Sequence, residues 1–294
     1  MSGVALATAA VARGLDDDMA PLAEALDRRG IDHRVLDWDD PAADWASFGL
    51  VVVRSVWDYT RRPAEFLAWA DRVAGLTLLA NPPAALRWSA DKRYLADLAR
   101  AGVPVVPTAF AAPGEAMDWP DAAAVVVKPA VSAGSLDTER YPAARRPEAQ
   151  AHVDRLHRAG RVAMAQPYLD AVEERGETAI VHLDGALSHV VRKGPMLVPG
   201  LATVAGLFVE EDVRPAEATA DEVSLAERAL AAAPGDGSLL YARADLVPGA
   251  DGAPVVLELE LVEPSLFLDH GEGAVDRLAA AVAARLSGGP TARG

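Results

Sequence analysis

Short apolar strand patterns alternate with amphipathic helix patterns through the first part of this 294-residue chain. The segment Leu50–Val53 is an unbroken, mostly β-branched run, which is typical of a parallel strand buried on both faces. An apolar strand over Val4–Ala10 precedes a predicted helix over Asp16–Arg29, which carries apolar residues at helical spacing and ends at Gly30. This order predicts an open α/β sheet that closes near Asn81.

The rest of the chain mixes strand, helix and hairpin patterns and shows no internal repeat. The Asp184-Gly185 pair between two apolar runs is a strong hairpin signal. We therefore expect an α/β protein with an N-terminal open α/β domain over residues 1–83. Two α+β subdomains, over residues 84–165 and 166–294, are expected to follow it.

Composition excludes several classes of function. The formal net charge of −15 argues against binding to nucleic acid or to an anionic membrane surface. The absence of cysteine excludes disulfides, thiolate metal sites and cysteine nucleophiles. No apolar run reaches the length of about 20 residues that spans a bilayer, and no Lys or Arg precedes the short Val4–Val11 stretch. We expect a cytoplasmic protein that binds neither nucleic acid nor membrane, and a homodimer is one assembly that the sequence permits.

Lysines next to small residues indicate an anion site. Lys128 ends an apolar strand pattern immediately before a proline, and a buried lysine needs an anionic partner. A phosphate would supply that partner, and Ser132, Gly134 and Ser135 leave backbone N–H groups free to wrap it. The alternative is a strand-end lysine that reaches solvent. Lys92, predicted to lie on a helix, is on local grounds an ordinary surface lysine.

Carboxylates on two strand patterns predict a metal site. Strand alternation places Glu258 and Glu260 on one face and Leu257 on the other. Asp245 shares a face with Arg243 on the preceding strand pattern. Two carboxylates two residues apart on an apolar strand repel each other unless a cation lies between them, which favours Mg²⁺ over a solvated edge strand. With the lysines, they suit a Mg²⁺-bound nucleotide.

Two further groups are candidates for nucleotide and phosphate contacts. Gln166, Tyr168 and Leu169 close a strand, and a linker of this kind can hold an adenine. A simple connector is the equal alternative. Arg192 and Lys193 end a hairpin strand and are predicted catalytic cations that meet a phosphate or a substrate carboxylate. A basic surface pair is the alternative there.

The loop after the third strand pattern is the predicted substrate site. Arg54, Ser55, Trp57 and Asp58 follow a buried strand, and ligands of open α/β sheets bind beyond the carboxyl ends of the strands. Arg54 is expected to pair with an anionic substrate group, while Trp57 excludes water. Trp57 and Tyr59 can equally be packing anchors.

The order of these motifs resembles the ATP-grasp superfamily, in particular its glutathione synthetase and ribosomal-protein-modifying ligase branch. The resemblance covers about residues 84–286, and the first domain is similar to the α/β domain that precedes this fold in the family. The family's metal strand reads Glu-x-Asn-x-x-Ser-Pro. The segment from Glu258 to Pro264 resembles it, with Glu260 in the place of the Asn.

The resemblance implies roles for single residues. The implied nucleotide contacts are the phosphate lysines Lys92 and Lys128, an adenine hinge over Met164–Leu169, and a ribose-binding Glu177. Arg192 matches an arginine near the transferred phosphate, and Arg243 is expected to hold phosphate charge. Ala179 stands where the glutathione branch often carries a substrate-binding Arg, which argues against glutathione as substrate.

Three stretches look like the D-cycloserine synthetase-like proteins of this superfamily, namely Val53–Tyr59, Gly176–Thr178 together with Ser188–Lys193, and Leu257–Leu266. The resemblance implies an ATP- and Mg²⁺-dependent ligase that phosphorylates a carboxylate, or a related acyl or ureido group, of a small amino-acid-like substrate. An amine-type nucleophile then displaces the phosphate; cyclisation of O-ureidoserine is one such reaction. A non-catalytic nucleotide-binding module and a phosphotransferase without ligation are the alternatives. The Gly194–Gly206 stretch and the Ser132–Ser135 loop are predicted to close over the nucleotide.

Overall fold

The structure is a computed structural model that describes residues 3–195, 203–209, 212–235 and 239–288. The predicted Gly194–Gly206 loop therefore lies partly outside the described residues. In the described part of the chain, no helix combines the length and the apolar character needed to cross a membrane.

The first sheet, called the parallel sheet, has four parallel strands in the order β2-β1-β3-β4. The strands and their two helices are β1 (Val4–Thr8), α1 (Met19–Arg28), β2 (His33–Asp37), β3 (Leu50–Val53), α2 (Pro63–Ala74) and β4 (Leu78–Ala80). Every residue of β3 is fully buried, as its apolar run predicted. Alternation sends Val51 and Val53 into the cluster with α2, while Leu50 and Val52 join the cluster with α1.

The second sheet, called the small sheet, is antiparallel with the order β5-β8-β6-β7. Its part of the chain contains α3 (Pro83–Ser89), α4 (Tyr94–Arg100), β5 (Ala109–Ala111), β6 (Ala124–Pro129), β7 (Glu139–Pro142), α5 (Arg146–Arg158) and β8 (Ala163–Pro167). Helix α5 buries Val153 and Leu156 against this sheet. Proline at position 147 suits the first turn of α5, where its missing N–H has no helical partner.

The third sheet, called the large sheet, is antiparallel with the order β13-β10-β9-β14-β15. The elements of this region are α6 (Ala171–Arg175), β9 (Glu177–Leu183), β10 (Ala186–Lys193), β11 (Thr203–Val204), β12 (Phe208–Val209), β13 (Val213–Pro215), α7 (Ala220–Ala231), β14 (Tyr241–Pro248), β15 (Pro254–Glu260) and α8 (Ala274–Leu286). Strands β11 and β12 form a separate hairpin. The predicted turn between β9 and β10 is confirmed, with positive φ at Asp184 (51°) and Gly185 (80°).

Buried hydrogen bonds join the parallel sheet to the large sheet along a contact that we call the seam. The Tyr241 hydroxyl donates to the carbonyl of Val53 at 2.5 Å. The Asn81 side chain donates to the carbonyls of Tyr241 (2.9 Å) and Leu261 (2.8 Å) and accepts from the N–H of Leu240 (2.7 Å). Helix α8 also packs against α1. The two sheets are therefore held in register by specific polar contacts as well as by apolar packing.

Candidate active site

A cavity of about 420 Å³ opens where the three sheets meet. Lys128 reaches it from the small sheet, Asp245 and Glu258 from the large sheet, and Trp57 and Tyr59 from the loop after β3. Residues from distant parts of the sequence, such as Trp57 and Glu258, thus share one chamber. Its size and its mixed apolar and charged lining suit a nucleotide and a small substrate.

A lysine pair surrounds one carboxylate at the junction of the small and large sheets. Lys92 Nζ lies 2.9 Å from Glu258 Oε1 and also donates to the carbonyl of Ser132 at 2.5 Å. Lys128 Nζ lies 3.8 Å from Glu258 Oε2. The prediction that Lys92 lies on a helix is wrong, because it occupies the turn before α4, where its N–H donates to the carbonyl of Ala130 at 2.8 Å. Lys92, which on local grounds resembles a surface lysine, therefore lines the cavity.

A second set of ion pairs lies beside the first, across strands β9, β10, β14 and β15. Lys193 Nζ lies 2.8 Å from Asp245 Oδ2 and 3.1 Å from Glu177 Oε2. The Arg243 guanidinium contacts Asp245 Oδ1 at 2.8 Å and Glu260 Oε1 at 2.5 Å. We call the residues of both sets the charged wall: Lys92, Lys128, Glu177, Lys193, Arg243, Asp245, Glu258 and Glu260. All of them line the cavity.

The cations of the charged wall hold two of its carboxylates in the ionised state. Burial opposes ionisation of Asp245, yet Arg243 and Lys193 keep the pKa of Asp245 well below its ordinary range. Burial also opposes ionisation of Glu258, and the neighbouring lysines lower its pKa. Glu260 differs, because burial dominates and raises its pKa to about 7 although Arg243 opposes the shift. The wall therefore presents two strongly ionised carboxylates and a third that titrates near neutrality.

The predicted metal ligands meet in one cavity but are held in ion pairs. Among the described residues, no group of three or more carboxylate or imidazole side chains forms a ready metal cluster. Asp245, Glu258 and Glu260 nevertheless supply the hard oxygen atoms that Mg²⁺ prefers, and all three face the same chamber. These oxygen ligands fit Mg²⁺ in their chemistry. Each carboxylate is paired with a Lys or Arg, and a bound phosphate could take over that cation and leave the carboxylate available to the metal.

The residues of the predicted adenine hinge line the cavity from the end of β8. Gln166, Tyr168 and Leu169 all contribute to the lining. The Tyr168 N–H donates to the carbonyl of Ala124 at 2.9 Å, and the Arg140 guanidinium lies 3.5 Å from the centre of the Tyr168 ring. These contacts fix the hinge against the small sheet.

A β-bulge corrects the prediction for Leu257. Asp245 pairs with Glu258, but the next residue, Leu246, pairs with Val256, so Leu257 is the extra residue of β15. Strand alternation alone would place the Leu257 side chain on the other face of the sheet from Glu258. The bulge instead brings Leu257 into the same cavity lining as Glu258. Sequence periodicity cannot show such a local shift in register.

The predicted phosphate loop packs closely against the β11–β12 hairpin. Ser132, Gly134 and Ser135 line the cavity, and Gly134 (φ 60°) and Ser135 (φ 59°) have left-handed backbone conformations. A Cβ atom at Gly134 would collide with the Leu207 carbonyl and with Phe208. Only glycine therefore permits this approach of hairpin and loop.

The hairpin also contacts the loop after β3. The rings of Phe208 and Trp57 meet edge to face with their centroids 5.2 Å apart. The Arg61 guanidinium donates to the carbonyl of Gly206 at 3.0 Å. The hairpin thus spans the cavity from the small-sheet side to the parallel-sheet side.

Arg192 does not line the cavity, whereas Lys193 does. Neighbouring residues of a strand point to opposite faces, so only one member of the pair can enter the chamber. Lys193 takes that position beside Asp245. The expectation that both cations face the transferred phosphate is therefore not met in this structure.

Arg54 also lies outside the cavity lining, and its anionic partners belong to the protein. It is 1% exposed, and its Nη2 lies 3.1 Å from Asp18 Oδ2 and 3.4 Å from Asp16 Oδ1. Its Nη1 donates to the carbonyl of Pro264 at 3.4 Å. Asp18 in turn accepts the N–H of Leu266 at 2.6 Å. Arg54 and Asp18 therefore belong to the seam, and the expected direct contact between Arg54 and substrate is not supported by this position.

Two other members of the predicted substrate loop are engaged elsewhere. The Ser55 hydroxyl lies 2.8 Å from that of Thr8. Asp58 accepts from Trp38 Nε1 at 2.9 Å and pairs with Arg62 at 2.6 Å. Neither Ser55 nor Asp58 lines the main cavity. These two side chains stabilise the loop, which leaves its aromatic residues to face the chamber.

Trp57 lines the cavity as predicted, and its Nε1 donates to the carbonyl of Glu263 at 3.2 Å. Tyr59, for which packing was the predicted alternative, lines the cavity as well.

Glu263 was not predicted as a site residue, although it lines the cavity and is only 8% exposed. Burial, together with the nearby charge of Glu260, raises the pKa of Glu263 well above its ordinary value. In the sequence, Glu263 stands where the family motif has a serine, and this difference is the feature that could have indicated a site residue.

The same end of the cavity contains further residues that sequence reasoning missed. Asp16, Asp17 and Asp18 line it because α1 begins at Met19, three residues later than predicted. Phe267, which has a positive φ of 50°, also lines it. The sequence shows a run of three aspartates, but the predicted helix over Asp16–Arg29 includes them, so they were not recognised as site residues.

Three sheets around a nucleotide-sized cavity with opposed lysines and carboxylates define an ATP-grasp ligase. The solved structure of the ATP-grasp ligase PsnB, in complex with a minimal precursor, Mg and ADP, superimposes with a TM-score of 0.60. That match covers 97% of each chain at 19% sequence identity, so it shows the fold.

Closer relatives show the family. A family model for the N-terminal domain of D-cycloserine synthetase DcsG matches residues 4–81. The cycloserine biosynthesis protein DcsG of Streptomyces lavendulae is 44% identical over 301 aligned positions, which cover 97% of this chain and 99% of the relative. The crystal structure of D-cycloserine synthetase DcsG superimposes with a TM-score of 0.86 at 42% identity, over 96% of this chain and 99% of that one. The chain belongs to the D-cycloserine synthetase family, and it is an ATP-dependent ligase.

Proposed function

We propose that this enzyme uses Mg²⁺ and ATP to phosphorylate the carboxylate of a small amino-acid-like substrate, and that a nitrogen nucleophile then displaces the phosphate. Cyclisation of O-ureidoserine to cycloserine is the reaction that we favour, supported by the 44% identity to a cycloserine biosynthesis protein. The observation that carries the proposal is the charged wall, where buried cations and buried carboxylates alternate within one cavity.

The paired charges of the wall are suited to an exchange of partners. Lys92 and Lys128 now neutralise Glu258, and they can neutralise nucleotide phosphates instead. Glu258 and Asp245 then become available as oxygen ligands. When bound, Mg²⁺ would supply further neutralisation of the phosphate charge. Because both halves of each pair find new partners, no buried charge is left uncompensated.

The neighbouring residues fit the other parts of the nucleotide. We assign the adenine to the hinge of Gln166, Tyr168 and Leu169, and the ribose to Glu177. Leu257 adds an apolar surface that the bulge in β15 makes available. These contacts would hold ATP with its terminal phosphate toward Lys193 and Arg243.

The protein's contribution to catalysis is charge stabilisation and positioning. A substrate carboxylate oxygen attacks the terminal phosphorus, the bond from that phosphorus to the ADP oxygen breaks, and an acyl phosphate forms. Arg243 and Lys193 stabilise the negative charge on the transferred group. The contact of Phe208 with Trp57 and the close packing at Gly134 keep water from the acyl phosphate.

Ring closure follows from the chemistry of O-ureidoserine. The nitrogen attached to the side-chain oxygen attacks the acyl carbon, a C–N bond forms, and inorganic phosphate leaves. The carbamoyl group on that nitrogen is lost as carbon dioxide and ammonia after addition of one water. The products are then cycloserine, carbon dioxide, ammonia, ADP and phosphate.

An isotope experiment tests the proposal directly. O-ureidoserine with ¹⁸O in its carboxylate is incubated with enzyme, ATP and Mg²⁺, and the products are measured by mass spectrometry. We expect cycloserine and ADP in equal amounts, and one ¹⁸O atom in each inorganic phosphate. Cycloserine without label in phosphate would show activation of another group, and absence of cycloserine would reject this substrate.

A panel of amino acids and amino-acid derivatives, assayed by ADP release, separates the class of reaction from the substrate. ADP release with another member and an amide product would retain the ligase mechanism. A stable phosphorylated product would instead identify a phosphotransferase.

A further inference from the structure

The cavity has a second end, next to the seam, whose walls differ from the charged wall. Trp57, Tyr59 and Phe208 line this end, and Glu263 is the buried carboxylic acid among them. Of the carboxylates nearby, Glu263 has the largest influence on the pKa of Tyr59, which burial and this charge together raise. Trp57 and Tyr59 pack in the same apolar cluster as Val262, the residue that precedes Glu263.

Glu263 differs from the other buried carboxylates in its partners. Asp245 is paired with Lys193 and Arg243, and Glu258 with Lys92. Within the described ranges, no ion pair or hydrogen bond reaches the Glu263 carboxylate, although its residue is only 8% exposed. Burial without a paired cation raises the pKa of this carboxyl group, and a cationic ligand group would favour its ionised form.

The backbone around Glu263 is fixed by the seam. Its carbonyl accepts from Trp57 Nε1 at 3.2 Å, and the carbonyl of Pro264 accepts from Arg54 at 3.4 Å. The N–H of Leu266 donates to Asp18 at 2.6 Å. These contacts hold the backbone of the segment in place, and a preorganised acceptor binds a ligand at a lower ordering cost.

We propose that Glu263 binds the free ammonium group of the amino-acid substrate at this end of the cavity. This inference rests on the proposed function and specifies which substrate group the seam end holds. The aromatic faces of Trp57, Tyr59 and Phe208 suit a cation, whereas the charged wall, with its lysines, suits phosphate and carboxylate. The substrate carboxylate then points to Lys193 and Arg243 while its amine points to Glu263. The end of the cavity next to the seam selects the substrate amine, and phosphoryl transfer takes place at the charged wall.

The test compares substrates that differ only in the amine. O-ureidoserine and its desamino analogue, which carries hydrogen in place of the amine, are titrated into enzyme saturated with a nonhydrolysable ATP analogue and Mg²⁺. We expect the wild-type enzyme to bind the amino compound about 10- to 100-fold more tightly, the range of a charge-assisted contact. In Glu263→Gln this preference should fall to about twofold or less, with the affinity for the desamino analogue unchanged.

Two variants make the result decisive. Glu263→Asp keeps the charge and should retain part of the preference. Asp17→Asn removes an exposed charge from the same end of the cavity and should leave the preference within about twofold of wild type. Melting temperatures and the affinity for the ATP analogue should be the same in all four proteins. A full preference retained in Glu263→Gln would overturn the proposal.

The two proposals fail in different ways. If the wild type uses another amino acid instead of O-ureidoserine, the same comparison with that amino acid and its desamino form tests Glu263 independently. An enzyme that accepts only substrates without an amine would overturn the role of Glu263 while leaving the ligase chemistry intact.

Discussion

The charged wall and the seam both contain buried polar contacts, but part of the wall is formed by neighbouring residues of one hairpin, whereas the seam joins distant segments of the chain. In the charged wall, Arg243 contacts Asp245 two residues away, and Asp245 and Glu258 are register partners in one hairpin. In the seam, Arg54 contacts Pro264, which is 210 positions away. The first kind of contact follows from strand alternation and hairpin pairing. The second depends on how whole sheets pack.

This difference has a functional consequence. The pairs of the charged wall open into the cavity, where a ligand can replace either partner. The Arg54 guanidinium lies behind the cavity lining, 1% exposed, with Asp16 and Asp18 as partners. We therefore expect substitutions in the charged wall to affect ligand binding and turnover, and substitutions in the seam to affect stability.

Asp245→Asn should have the largest effect on activity. It removes a charged oxygen ligand and the carboxylate that Arg243 and Lys193 share, so kcat should fall by at least about 10²- to 10³-fold and the Mg²⁺ requirement should rise. ADP release is measured over a Mg²⁺ series, with Glu227→Gln on the exposed face of α7 as control. Wild-type activity of Asp245→Asn at low Mg²⁺ would show that the metal assignment is wrong.

Arg54→Ala should have the largest effect on stability. It leaves the carboxylates of Asp16 and Asp18 buried without a cation, which typically costs about 3–5 kcal/mol. Urea unfolding measures the loss, and Arg93→Ala, which breaks an exposed pair with Asp91, should cost less than about 1 kcal/mol. A stable Arg54→Ala protein with a strongly raised KM for the acceptor would restore the direct substrate contact that the sequence predicted.

The buried His182 should make the protein less stable in acid, so the charged wall and the seam are best compared above pH 6.5. Burial lowers the pKa of His182 on β9 to about 4, below its ordinary value near 6.5. Because the folded state disfavours the charged ring, this contribution is complete above pH 6.5 and is lost as the pH falls toward 4, at up to about 1.4 kcal/mol per unit. His182→Leu should flatten urea-unfolding stability between pH 6.5 and 4.5. An unchanged slope would assign the acid sensitivity to other groups.

Lys128→Ala should weaken nucleotide binding and leave the fold intact. Loss of one charge-assisted phosphate contact corresponds to roughly 1.5–3 kcal/mol, or about 10- to 150-fold in affinity. Titration calorimetry with a nonhydrolysable ATP analogue measures the change, and Lys128→Arg should recover part of it. If affinity is unchanged and the melting temperature falls instead, Lys128 is a structural partner of Glu258.

Arg61→Ala should have the smallest effect, because it removes one exposed hydrogen bond between the loop after β3 and the β11–β12 hairpin. We expect the acceptor KM to rise by about two- to fivefold, with stability and ATP affinity unchanged. Steady-state kinetics measures it. A loss of stability as large as that of Arg54→Ala would mean that the hairpin belongs to the seam.

The sequence by itself determined the strands that carry most of the charged wall and the types of residue from which the wall is built. The apolar run of Leu50–Val53, the Asp184-Gly185 turn and the carboxylates of β14 and β15 follow from local periodicity, because a strand alternates its faces and a two-residue turn sets its own pairing. The types of residue at Lys128 and Glu258 were enough to indicate a phosphate and metal site.

Only the tertiary structure decided which of the remaining candidates line the cavity. Arg54 turned inward because Asp18 lies beside it and the segment around Leu266 packs over both, a contact that spans 248 positions from Asp18 to Leu266. Leu257 entered the cavity because one extra residue shifted the register of β15. Glu263 lies at the seam because Trp57, 206 positions away, donates to its backbone. Such contacts depend on how whole sheets pack together, and local periodicity contains no record of that packing.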